Sequence, residues 1–501
     1  MKIPIHLKNF IYCFLTALLT TMAFPRLEIS ILIWIALIPL MIVLDGKTLG
    51  QGFRIGFLAG FLTFLGTLYW LFHVTAWFSV VAAVGVIVLL LYLALYYALF
   101  GMAYCYSQLM SPSRRLLFLP SVWVVLEFIR AHLFTGFDWI SLGHSQFRNL
   151  ISIQIADFSG VFGVSFVIVM TNIFLKEIFQ HRKSSGSDWL WFRCIFLIVF
   201  LGHFFYGVIR LRESLSSEKL RVGIVQGNID QDMKWKPFAW PMIMNAHKTL
   251  TRQVALKEPE LIIWPETSFP GIKGEDDALF SEIEALAREV KRPILLGAIE
   301  HKNEDYFNTV MLMNPDGTIA QQYNKIHLVP FGEFLPGRNI IGSLAEWVPI
   351  SDFTRGKDFT VFKINGKPFS VLICFEDTIA GMSPPFVRAG AKLLINMTND
   401  AWFKDSKAPT LHLSSSLFRT VENRRSLIRS ANTGLSNAID PYGRILTQIK
   451  DQHGTSVNIQ GQTVVDVPLS ETLTFYTKFG NAFVFLCLGC ILWILFSKSK
   501  N

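Results

Sequence analysis

The chain has 501 residues, of which 51% are hydrophobic and 14% aromatic, including 44 Phe and 13 Trp. This composition excludes an ordinary soluble protein and indicates an integral membrane protein. The formal net charge of +9 is compatible with nucleic-acid binding, but the basic residues concentrate in alternate loops between apolar runs, where they report membrane topology.

The apolar runs predict about eight transmembrane helices, because each has roughly the 17–25 residues that cross a bilayer. They lie near residues 9–24, 29–45, 55–73, 79–101, 116–134, 155–175, 189–209 and 477–497. Residues 1–24 also resemble a signal peptide, with basic residues before an apolar run. No clear small-residue cleavage site follows, so we interpret them as a retained first helix.

Three glycines spaced four residues apart, Gly52, Gly56 and Gly60, lie at and within the third run. Small residues on one face of a helix let a second helix approach closely. The spacing therefore predicts a helix-packing face, which is a structural feature and implies no chemistry.

The loop charges predict the orientation of the chain. If eight spans are threaded in order, the alternate loops rich in Lys and Arg fall on one side, which should be the cytoplasm. The polar stretch between the seventh and eighth spans then faces outward, into an oxidising compartment. We divide the chain into a membrane domain at 1–213, a polar domain at 214–470, and a C-terminal helix with a cytoplasmic tail at 471–501.

The polar domain has the pattern of an α/β sandwich. Short apolar runs bounded by turns predict strands, and longer amphipathic stretches predict helices. The predicted strands lie near 220–228, 261–265, 293–299, 308–313, 359–364, 369–374, 392–397 and 434–439, and the predicted helices near 238–257, 275–290 and 412–424. About 255 residues are enough for one domain with its own core.

Glu266 follows an apolar strand in the run LIIWPET at 261–267. Open α/β sheets usually carry their sites at such strand ends, so Glu266 is a candidate general base. Alone, the motif would fit better with a carboxylate that caps a helix or pairs at the surface. Two further motifs accompany it and favour the functional interpretation.

The second motif, YNKIHLVPFGEF at 323–334, combines Lys325, His327 and Glu333 with a Pro/Gly loop. A lysine near a cysteine would favour the thiolate, lowering a free pKa of about 8.5, and would hydrogen-bond the oxyanion of a tetrahedral intermediate. Lys325 and Glu333 are therefore the stronger candidates. His327 is more often structural in an apolar context. No spaced set of ligands resembles a zinc site, so neither a metal nor a cofactor is predicted.

Cys374 is the only cysteine of the polar domain and ends the apolar run 371–374. A short helix is predicted to begin near Asp377, and its N-terminus would further favour a thiolate. Alone, a buried structural cysteine would be the better interpretation. Because Glu266 and Lys325 occur in the same domain, we interpret Cys374 as a nucleophile that has no disulfide partner within reach.

Glu266, Lys325 and Cys374, in that order and in these contexts, resemble the Glu-Lys-Cys triad of the nitrilase or carbon-nitrogen hydrolase superfamily. The segments NDAWF at 399–403 and RSANTG at 429–434 are similar to downstream segments of that superfamily. The resemblance covers the whole polar domain. It implies an αββα sandwich.

With seven spans before this domain and one after it, the whole chain resembles the bacterial apolipoprotein N-acyltransferase family, as does the loop TGFDWISLGHSQ at 135–146. The resemblance implies a multi-pass protein of the cell inner membrane with its catalytic domain on the periplasmic side. It also implies a two-step reaction. A phospholipid, typically phosphatidylethanolamine, acylates Cys374, and the thioester then passes the acyl chain to the α-amine of a diacylglyceryl-cysteine on an apolipoprotein. Glu266 would move the protons and Lys325 would stabilise the oxyanion.

The same resemblance implies supporting residues around the triad and in contact with substrate. They are Glu333, Glu376, Trp235, Phe375, Asn399 and Trp402. Phe375 stands where a Tyr often follows the nucleophile, which puts a role for that hydroxyl in doubt, and Lys404 stands where Gly is common. We also expect the loops with Trp235, Phe331 to Leu335 and Trp402-Phe403 to form an apolar rim that faces the membrane.

Two other functions stay open at this point. A membrane-anchored amidase of the nitrilase type would use the same triad and pass the acyl group to water. A non-enzymatic lipid- or protein-binding module would not need Cys374. An amidase needs at most one membrane anchor, whereas two lipid substrates require a site open to the bilayer, so the many spans favour the acyltransferase.

Overall fold

The structure, a computed structural model, describes residues 4–75, 80–182, 184–336 and 352–497. The chain divides into two compact units. The helical unit comprises Met1–Glu213, Phe403–Ser414 and Phe479–Asn501, and the sheet unit comprises Ser214–Trp402 and Ser415–Lys478. Sequence analysis assigned residues 403–414 to the polar domain, whereas the structure groups them with the helical unit.

The helical unit is built from apolar helices. In chain order they are α1 (Ile5–Ala23), α2 (Ile38–Leu44), α3 (Leu49–Leu68), α4 (Leu71–Thr75), α5 (Val80–Ser107), α6 (Pro112–His132), α7 (Leu150–Ile153), α8 (Ala156–Ser159), α9 (Val161–Gln180), α10 (Ser187–Arg210) and, near the C-terminus, α17 (Ala482–Phe496). Among the described residues, 5 helices are long and apolar enough to cross a membrane. They are Ile5–Ala23, Leu49–Leu68, Ala82–Ser107, Val161–Gln180 and Ser187–Arg210.

Three of the predicted spans take a different form. The run near 29–45 divides into a 3-10 helix, Ser30–Trp34, and α2, because Pro39 is tolerated in the first turn of a new helix but not inside a continuous one. The run near 116–134 lies in α6, which carries several charged residues, and the run near 477–497 contains α17, which has 15 residues. Residue 79, where the fourth run begins, lies outside the described residues. The number of about eight spans stays a prediction.

The glycine-rich face predicted on α3 packs against α5. A Cβ atom added at Gly56 would lie 2.3 Å from the carbonyl oxygen of Tyr97, and one at Gly52 would lie 2.7 Å from that of Gly101. At Gly60 the nearest atom, Cβ of Tyr97, would be 2.7 Å away. The close approach of two helices at these glycines confirms the predicted packing face.

Replacing Gly56 with alanine is expected to destabilise the helical unit by about 1–3 kcal/mol, because the added methyl group overpacks the contact with α5. The matched control is Gly50→Ala in the same helix, where a Cβ atom would meet nothing within 4 Å. Thermal unfolding of the detergent-solubilised chain should therefore occur at a lower temperature for G56A alone. Equal transition temperatures for the two variants would contradict this account of the packing.

The sheet unit contains two mixed β-sheets. Its strands are β1 (Lys219–Gln226), β2 (Leu261–Ile263), β3 (Ile272–Lys273), β4 (Ile294–Lys302), β5 (Asp305–Met313), β6 (Ile319–Asn324), β7 (Phe362–Ile364), β8 (Lys367–Ile373), β9 (Leu393–Thr398), β10 (Ser426–Ala431), β11 (Asn437–Ile439), β12 (Ile445–Gln448) and β13 (Gly461–Pro468). The first sheet has the order β13-β1-β2-β4-β5-β6, with β3 beside β4, and the second has the order β12-β11-β10-β9-β8-β7.

Helices cover the first sheet and build its core. The helices between β1 and the end of this unit are α11 (Gln231–Lys234), α12 (Trp240–Ala255), α13 (Asp277–Val290), α14 (Ser383–Arg388), α15 (Ala408–Asn423) and α16 (Phe475–Phe479). The first residues of α15, up to Ser414, and the last residue of α16, Phe479, belong to the helical unit. Leu250 of α12 and Phe280 of α13 share one core with Ile262 and Ile294 of the sheet. On the other side, the Ser430 hydroxyl of β10 donates to the carbonyl of Val225 in β1 at 3.2 Å, so the two sheets lie face to face.

Among the described residues, five strands were not predicted from the sequence: β3, β6, β10, β12 and β13. Polar side chains account for β6 and β10. β6 has the sequence IAQQYN and forms one edge of the first sheet, where polar side chains are common. β10 is a central strand, but the buried Arg429 interrupts its apolar run. A pattern search for alternating or continuous apolar residues therefore finds neither strand.

Candidate active site

The strands of the sheet unit end at the residues that sequence analysis selected. β2 leads into the turn that carries Glu266. β6 ends directly before Lys325, and β8 ends directly before Cys374. Glu266 and Lys325 are 7% and 1% exposed, whereas Cys374 is partly exposed. The two charged groups are therefore shielded from water.

These side chains form one hydrogen-bonded set. Lys325 Nζ lies 3.4 Å from Glu266 Oε1 and 2.9 Å from Glu333 Oε1. The Glu266 carboxylate also forms a hydrogen bond with the side chain of Cys374. The structure thus brings together the predicted nucleophile, base and lysine and the second glutamate.

The surroundings of Glu266 keep its carboxyl group ionised. Asn308 Nδ2 donates to Glu266 Oε1 at 2.9 Å, and the backbone N–H of Asn399 donates to Oε2 at 2.9 Å. Burial raises the pKa of Glu266, but the charge of Lys325, the hydrogen bond from Asn308 and the charge of Lys234 together bring it below its ordinary value of 4.5. At neutral pH Glu266 is therefore a carboxylate that can accept a proton.

The pKa of the Cys374 thiol is shifted the other way. Burial raises it most, the negative charge of Glu266 raises it further, and the charge of Lys325 and a hydrogen bond from Thr398 lower it by less, so the pKa lies well above its ordinary value of 9.0. The predicted influence of Lys325 is present, since its charge lowers the pKa of the thiol, but desolvation and the charge of Glu266 outweigh it. Cys374 is a thiol at neutral pH and must pass its proton to Glu266 as it attacks.

The backbone is strained at Cys374 and at the residue that follows Glu266. Cys374 has a φ of 51°, and Thr267, the residue after Glu266, has a φ of 44°. Residues other than glycine rarely adopt this left-handed region of φ and ψ. Those that do are concentrated at active sites and ligand sites, where the strained backbone holds the functional side chains in position. The helix expected near Asp377 is a 3-10 helix, Cys374–Thr378, and α14 begins only at Ser383, so the thiol does not lie at the N-terminus of an α-helix.

Glu333 is held in place as a second carboxylate beside Lys325. Its Oε2 accepts the backbone N–H of Val329 at 2.8 Å, and its Oε1 accepts Asn308 Nδ2 at 2.8 Å. Asn308 therefore bridges Glu333 and Glu266 with one amide nitrogen. Lys325 lies between two carboxylates, and although burial lowers its pKa, their charges raise it above the ordinary value, so the lysine stays cationic.

Glu376 is fully buried and connects the segments that carry the lysine and the nucleophile. Its carboxylate accepts the Tyr323 hydroxyl at 2.9 Å and the backbone N–H groups of Ile326, His327 and Ile373 at 2.8, 3.0 and 2.7 Å. Burial raises its pKa to about 7, even though these hydrogen bonds oppose the shift. Glu376 thus fixes the backbone on either side of the site.

Asn399 belongs to a chain of amides beside Glu266. Its Nδ2 donates to Gln231 Oε1 at 2.8 Å, and its Oδ1 accepts Asn432 Nδ2 at 2.9 Å. Asn432 in turn accepts the backbone N–H of Ile229 at 2.8 Å. These bonds hold the Asn399 backbone N–H, which is aimed at Glu266, and connect it to the loop that follows β1.

The aromatic residues predicted as supporting groups lie around this network. Phe375, next to the nucleophile, is partly exposed, and its ring centroid is 6.0 Å from that of His327. Trp402 is half-buried in the 3-10 helix Asp400–Phe403, and Trp235 is 42% exposed. In the expected rim, Phe331 is exposed, whereas Leu335 is buried with 5% of its surface exposed.

The chain matches two known families along its length. Residues 16–174 match the family described as "Apolipoprotein N-acyltransferase N-terminal domain". Residues 221–467 match the family described as "Carbon-nitrogen hydrolase". A solved structure of an amidase from Nesterenkonia sp. is 17% identical in sequence, with a TM-score of 0.40, and covers 55% of this chain and 97% of its own.

Curated relatives match the chain from end to end. The "Apolipoprotein N-acyltransferase" of Geobacter metallireducens is 35% identical over 496 residues, which are 96% of this chain and 94% of that protein. The protein of the same name from Nitrosomonas europaea is 31% identical and covers 89% of this chain and 88% of its own. The chain belongs to the apolipoprotein N-acyltransferase family. This membership confirms the family predicted from the sequence.

The fold expected of an apolipoprotein N-acyltransferase is also confirmed. The residues that match the carbon-nitrogen hydrolase family form the two sheets and covering helices of the sheet unit. The apolar helices of the helical unit include the residues that match the N-terminal family, and the protein is a membrane protein.

Three residues that contact the triad were not found from the sequence. Asn308 lies inside β5, Thr398 ends β9 and Lys234 ends α11. Each is a common polar residue with no motif around it, and each meets its partner only through contacts between distant parts of the chain. Two signals were available: Thr398 stands directly before the NDAWF segment that resembles the carbon-nitrogen hydrolase superfamily, and Lys234 stands directly before Trp235.

A buried ionic cluster lies behind the nucleophile. Arg429 Nη1 is 3.2 Å from Asp377 Oδ2, and Nη2 is 2.8 Å from Asp400 Oδ2, with all three side chains fully buried. The Thr398 hydroxyl is 3.2 Å from both Cys374 Sγ and Asp400 Oδ1. A hydroxyl group has one proton, so Thr398 can donate to Asp400 while Cys374 is a thiol and turn to Sγ when the thiolate forms.

Replacing Thr398 with valine is expected to slow alkylation of Cys374 by iodoacetamide about tenfold or more, because the thiolate loses a charge-assisted hydrogen bond. The rate should be lower at every pH at which it is measured, because the thiolate itself is less stable without the hydroxyl. T398S keeps the hydroxyl and should alkylate at close to the wild-type rate. Identical pH profiles for T398V and the wild-type chain would show that the hydroxyl has no part in stabilising the thiolate.

Proposed function

We propose that the protein is an N-acyltransferase that moves a fatty acyl chain from a membrane phospholipid, through a thioester on Cys374, to the α-amine of a diacylglyceryl-cysteine at the N-terminus of an apolipoprotein. The observation that carries this proposal is the hydrogen-bonded set of Glu266, Lys325 and Cys374 in a chain whose curated relatives bear the name of that activity. The set contains a nucleophile, a proton acceptor and a cation within one network.

In the first step the Cys374 sulfur attacks the ester carbonyl of the phospholipid. The thiol proton moves to Glu266, to which the thiol is hydrogen-bonded, as the S–C bond forms. The Lys325 ammonium group stabilises the negative charge that develops on the carbonyl oxygen. The ester C–O bond then breaks, and Glu266 returns its proton to the departing oxygen, which leaves a lysophospholipid and an acylated Cys374.

In the second step the neutral α-amine of the apolipoprotein attacks the thioester carbonyl. Glu266 takes a proton from the nitrogen as the N–C bond forms, and Lys325 again faces the oxyanion. The C–S bond breaks, and the sulfur takes the proton back from Glu266. Dividing one difficult transfer into two easier ones is the advantage of the thioester, and the products are an amide and the original thiol.

In this scheme the protein works in the cell inner membrane with the sheet unit on the periplasmic side, and phosphatidylethanolamine is the acyl donor. The charge pattern of the loops supports the orientation. Exposed apolar side chains next to the site, Trp235 and Phe331, support a substrate that comes from a lipid surface. Phe238 and Met242, which are 73% and 55% exposed, are two further exposed apolar residues in the segment that follows Trp235.

The test separates the acyltransferase from an amidase and from a binding module. The purified chain in detergent is incubated with a phospholipid labelled in its acyl chain, and Cys374 is examined for an adduct that hydroxylamine removes. A diacylated lipopeptide is then added. We expect the adduct to form and its label to move to the lipopeptide amine. Release of the label only as free fatty acid would identify a hydrolase, and absence of the adduct would refute the proposal.

A further inference from the structure

Lys234 is a second buried lysine next to the active site. It ends α11 and is 3% exposed, although lysine side chains are almost never buried without a partner. Its Nζ donates to the hydroxyl of Thr267 and, at 3.4 Å, to the backbone carbonyl of Glu266. Lys234 therefore holds the turn that carries Glu266, the proton acceptor, through two hydrogen bonds.

The turn is one that needs support. Thr267 has a φ of 44°, and a β-branched residue in the left-handed region is strained. Both groups that accept from Lys234 belong to this turn, one on each of its two residues. The ammonium group thus offsets the strain at the residue that follows Glu266.

The positive charge of Lys234 acts on the reacting groups, Glu266 and Cys374. The lysine borders a small cavity with Ile229, Ile243, His247 and the Glu266 turn. Burial lowers the pKa of His247 to about 4, and its Nε2 has no hydrogen-bond partner among the described residues, so the imidazole adds no charge. The negative groups that act on Lys234 are Glu266 and, when ionised, Cys374.

We propose that Lys234 is a positioning residue of the active site, which fixes the Glu266–Thr267 turn and keeps Glu266 ionised as the proton acceptor of Cys374. The proposal deepens the function proposed above and rests on it. Lys325 supplies the first cation on Glu266, and Lys234 supplies a second from the main-chain side of the turn. Two cations offset the cost of a carboxylate in a desolvated site.

The balance of charges around Lys234 suits this role. Burial lowers the pKa of Lys234 to about 8, while the charges of Glu266 and Cys374 oppose the shift. The lysine is therefore cationic below pH 8, where Glu266 must stay ionised. Removing its charge would raise the pKa of Glu266, whose other titratable neighbours are Lys325, Cys374 and Glu333, the last of which shares Lys325 and Asn308 with Glu266.

The test measures how fast iodoacetamide alkylates Cys374 in the full detergent-solubilised chain between pH 3 and 8, a range that includes the pH below 4.5 at which the wild-type Glu266 takes up its proton. In K234M the pH at which the rate falls on the acid side should rise by about one pH unit, because one cation no longer acts on Glu266. K234R keeps the positive charge, so the pH at which its alkylation rate falls on the acid side should match that of the wild-type chain. The matched control is Lys236→Met, two residues away and exposed, which should reproduce the wild-type profile.

A structural role for Lys234 would give a different result. It would lower the alkylation rate by the same factor at every pH. A shift of the acid-side fall in rate in K234R as well as in K234M would also overturn the proposal, because K234R keeps the charge. If K234M does not fold, K234Q still donates to the Thr267 hydroxyl without a charge and should show the same displacement. Iodoacetamide needs no lipid, so the result is independent of whether a phospholipid acylates Cys374.

Discussion

Replacing Cys374 with serine is expected to reduce acyl transfer from phospholipid to lipopeptide by roughly 10³-fold or more, the size of loss seen when a nucleophile is removed from a working set. A serine hydroxyl is less acidic than a thiol, and Glu266, with a pKa below 4.5, is too weak a base to compensate. The hydroxylamine-sensitive adduct should disappear. Acyl transfer and adduct are measured on the same preparation with a phospholipid labelled in its acyl chain.

The control for C374S is another cysteine that is also partly exposed. Cys194 lies in α10 of the helical unit, and C194S should form the adduct and transfer the acyl chain at the wild-type rate. The two variants lose the same chemical group from different places. An adduct that persists in C374S, or that is lost in C194S, would contradict the assignment of the nucleophile.

The sequence was sufficient to select the residues that end strands. Glu266 and Cys374 each follow an apolar run, and Lys325 stands in a motif that mixes charges with a Pro/Gly loop. Strands that run in the same direction end at the same edge of a sheet, as β2 and β6 do, and β8 brings Cys374 to that edge from the second sheet, so residues in such places can meet without any knowledge of the register. This is why three distant motifs could be assigned to one site before a structure was available.

The electrostatics of the site could not be obtained in that way. The motifs indicate the attraction between Lys325 and a thiolate, but they contain no measure of burial, which has the largest effect on the pKa of Cys374. It also could not place Lys234, because a lysine in a polar loop normally points to water. Burial depends on what packs around a group from elsewhere in the chain, and that information is absent from a local motif.

The helical unit shows the same limit. A hydropathy criterion identifies long apolar helices such as α9. It does not identify α6, which contains several charged residues, two of which, Glu127 and Arg130, are buried. Buried Glu127 accepts the indole N–H of Trp123 and the backbone N–H of Leu142, each at 2.8 Å. Charges that are satisfied inside a helical unit lower the mean hydropathy of a run, so a composition rule undercounts such helices.

Replacing Lys325 with methionine is expected to abolish acylation of Cys374 and also to destabilise the sheet unit by about 3–5 kcal/mol. Lys325 Nζ lies 2.9 Å from Glu333 and 3.4 Å from Glu266, and its removal leaves two buried carboxylates without their shared cation. The pKa of Glu266 should then rise, because the charge of Lys325 is the largest influence that lowers it. Thermal unfolding and adduct formation measure the two effects separately.

A second change separates stability from chemistry. Glu333→Gln in the K325M background removes one of the two unpaired charges and keeps a side chain that can accept from Val329 and Asn308. The double variant should regain much of the lost thermal stability, because burying a neutral amide costs less than burying a carboxylate. Acylation of Cys374 should stay absent, since no cation faces the oxyanion. Recovery of both properties together would mean that Lys325 only neutralises Glu333, whereas recovery of stability alone assigns the lysine to the reaction.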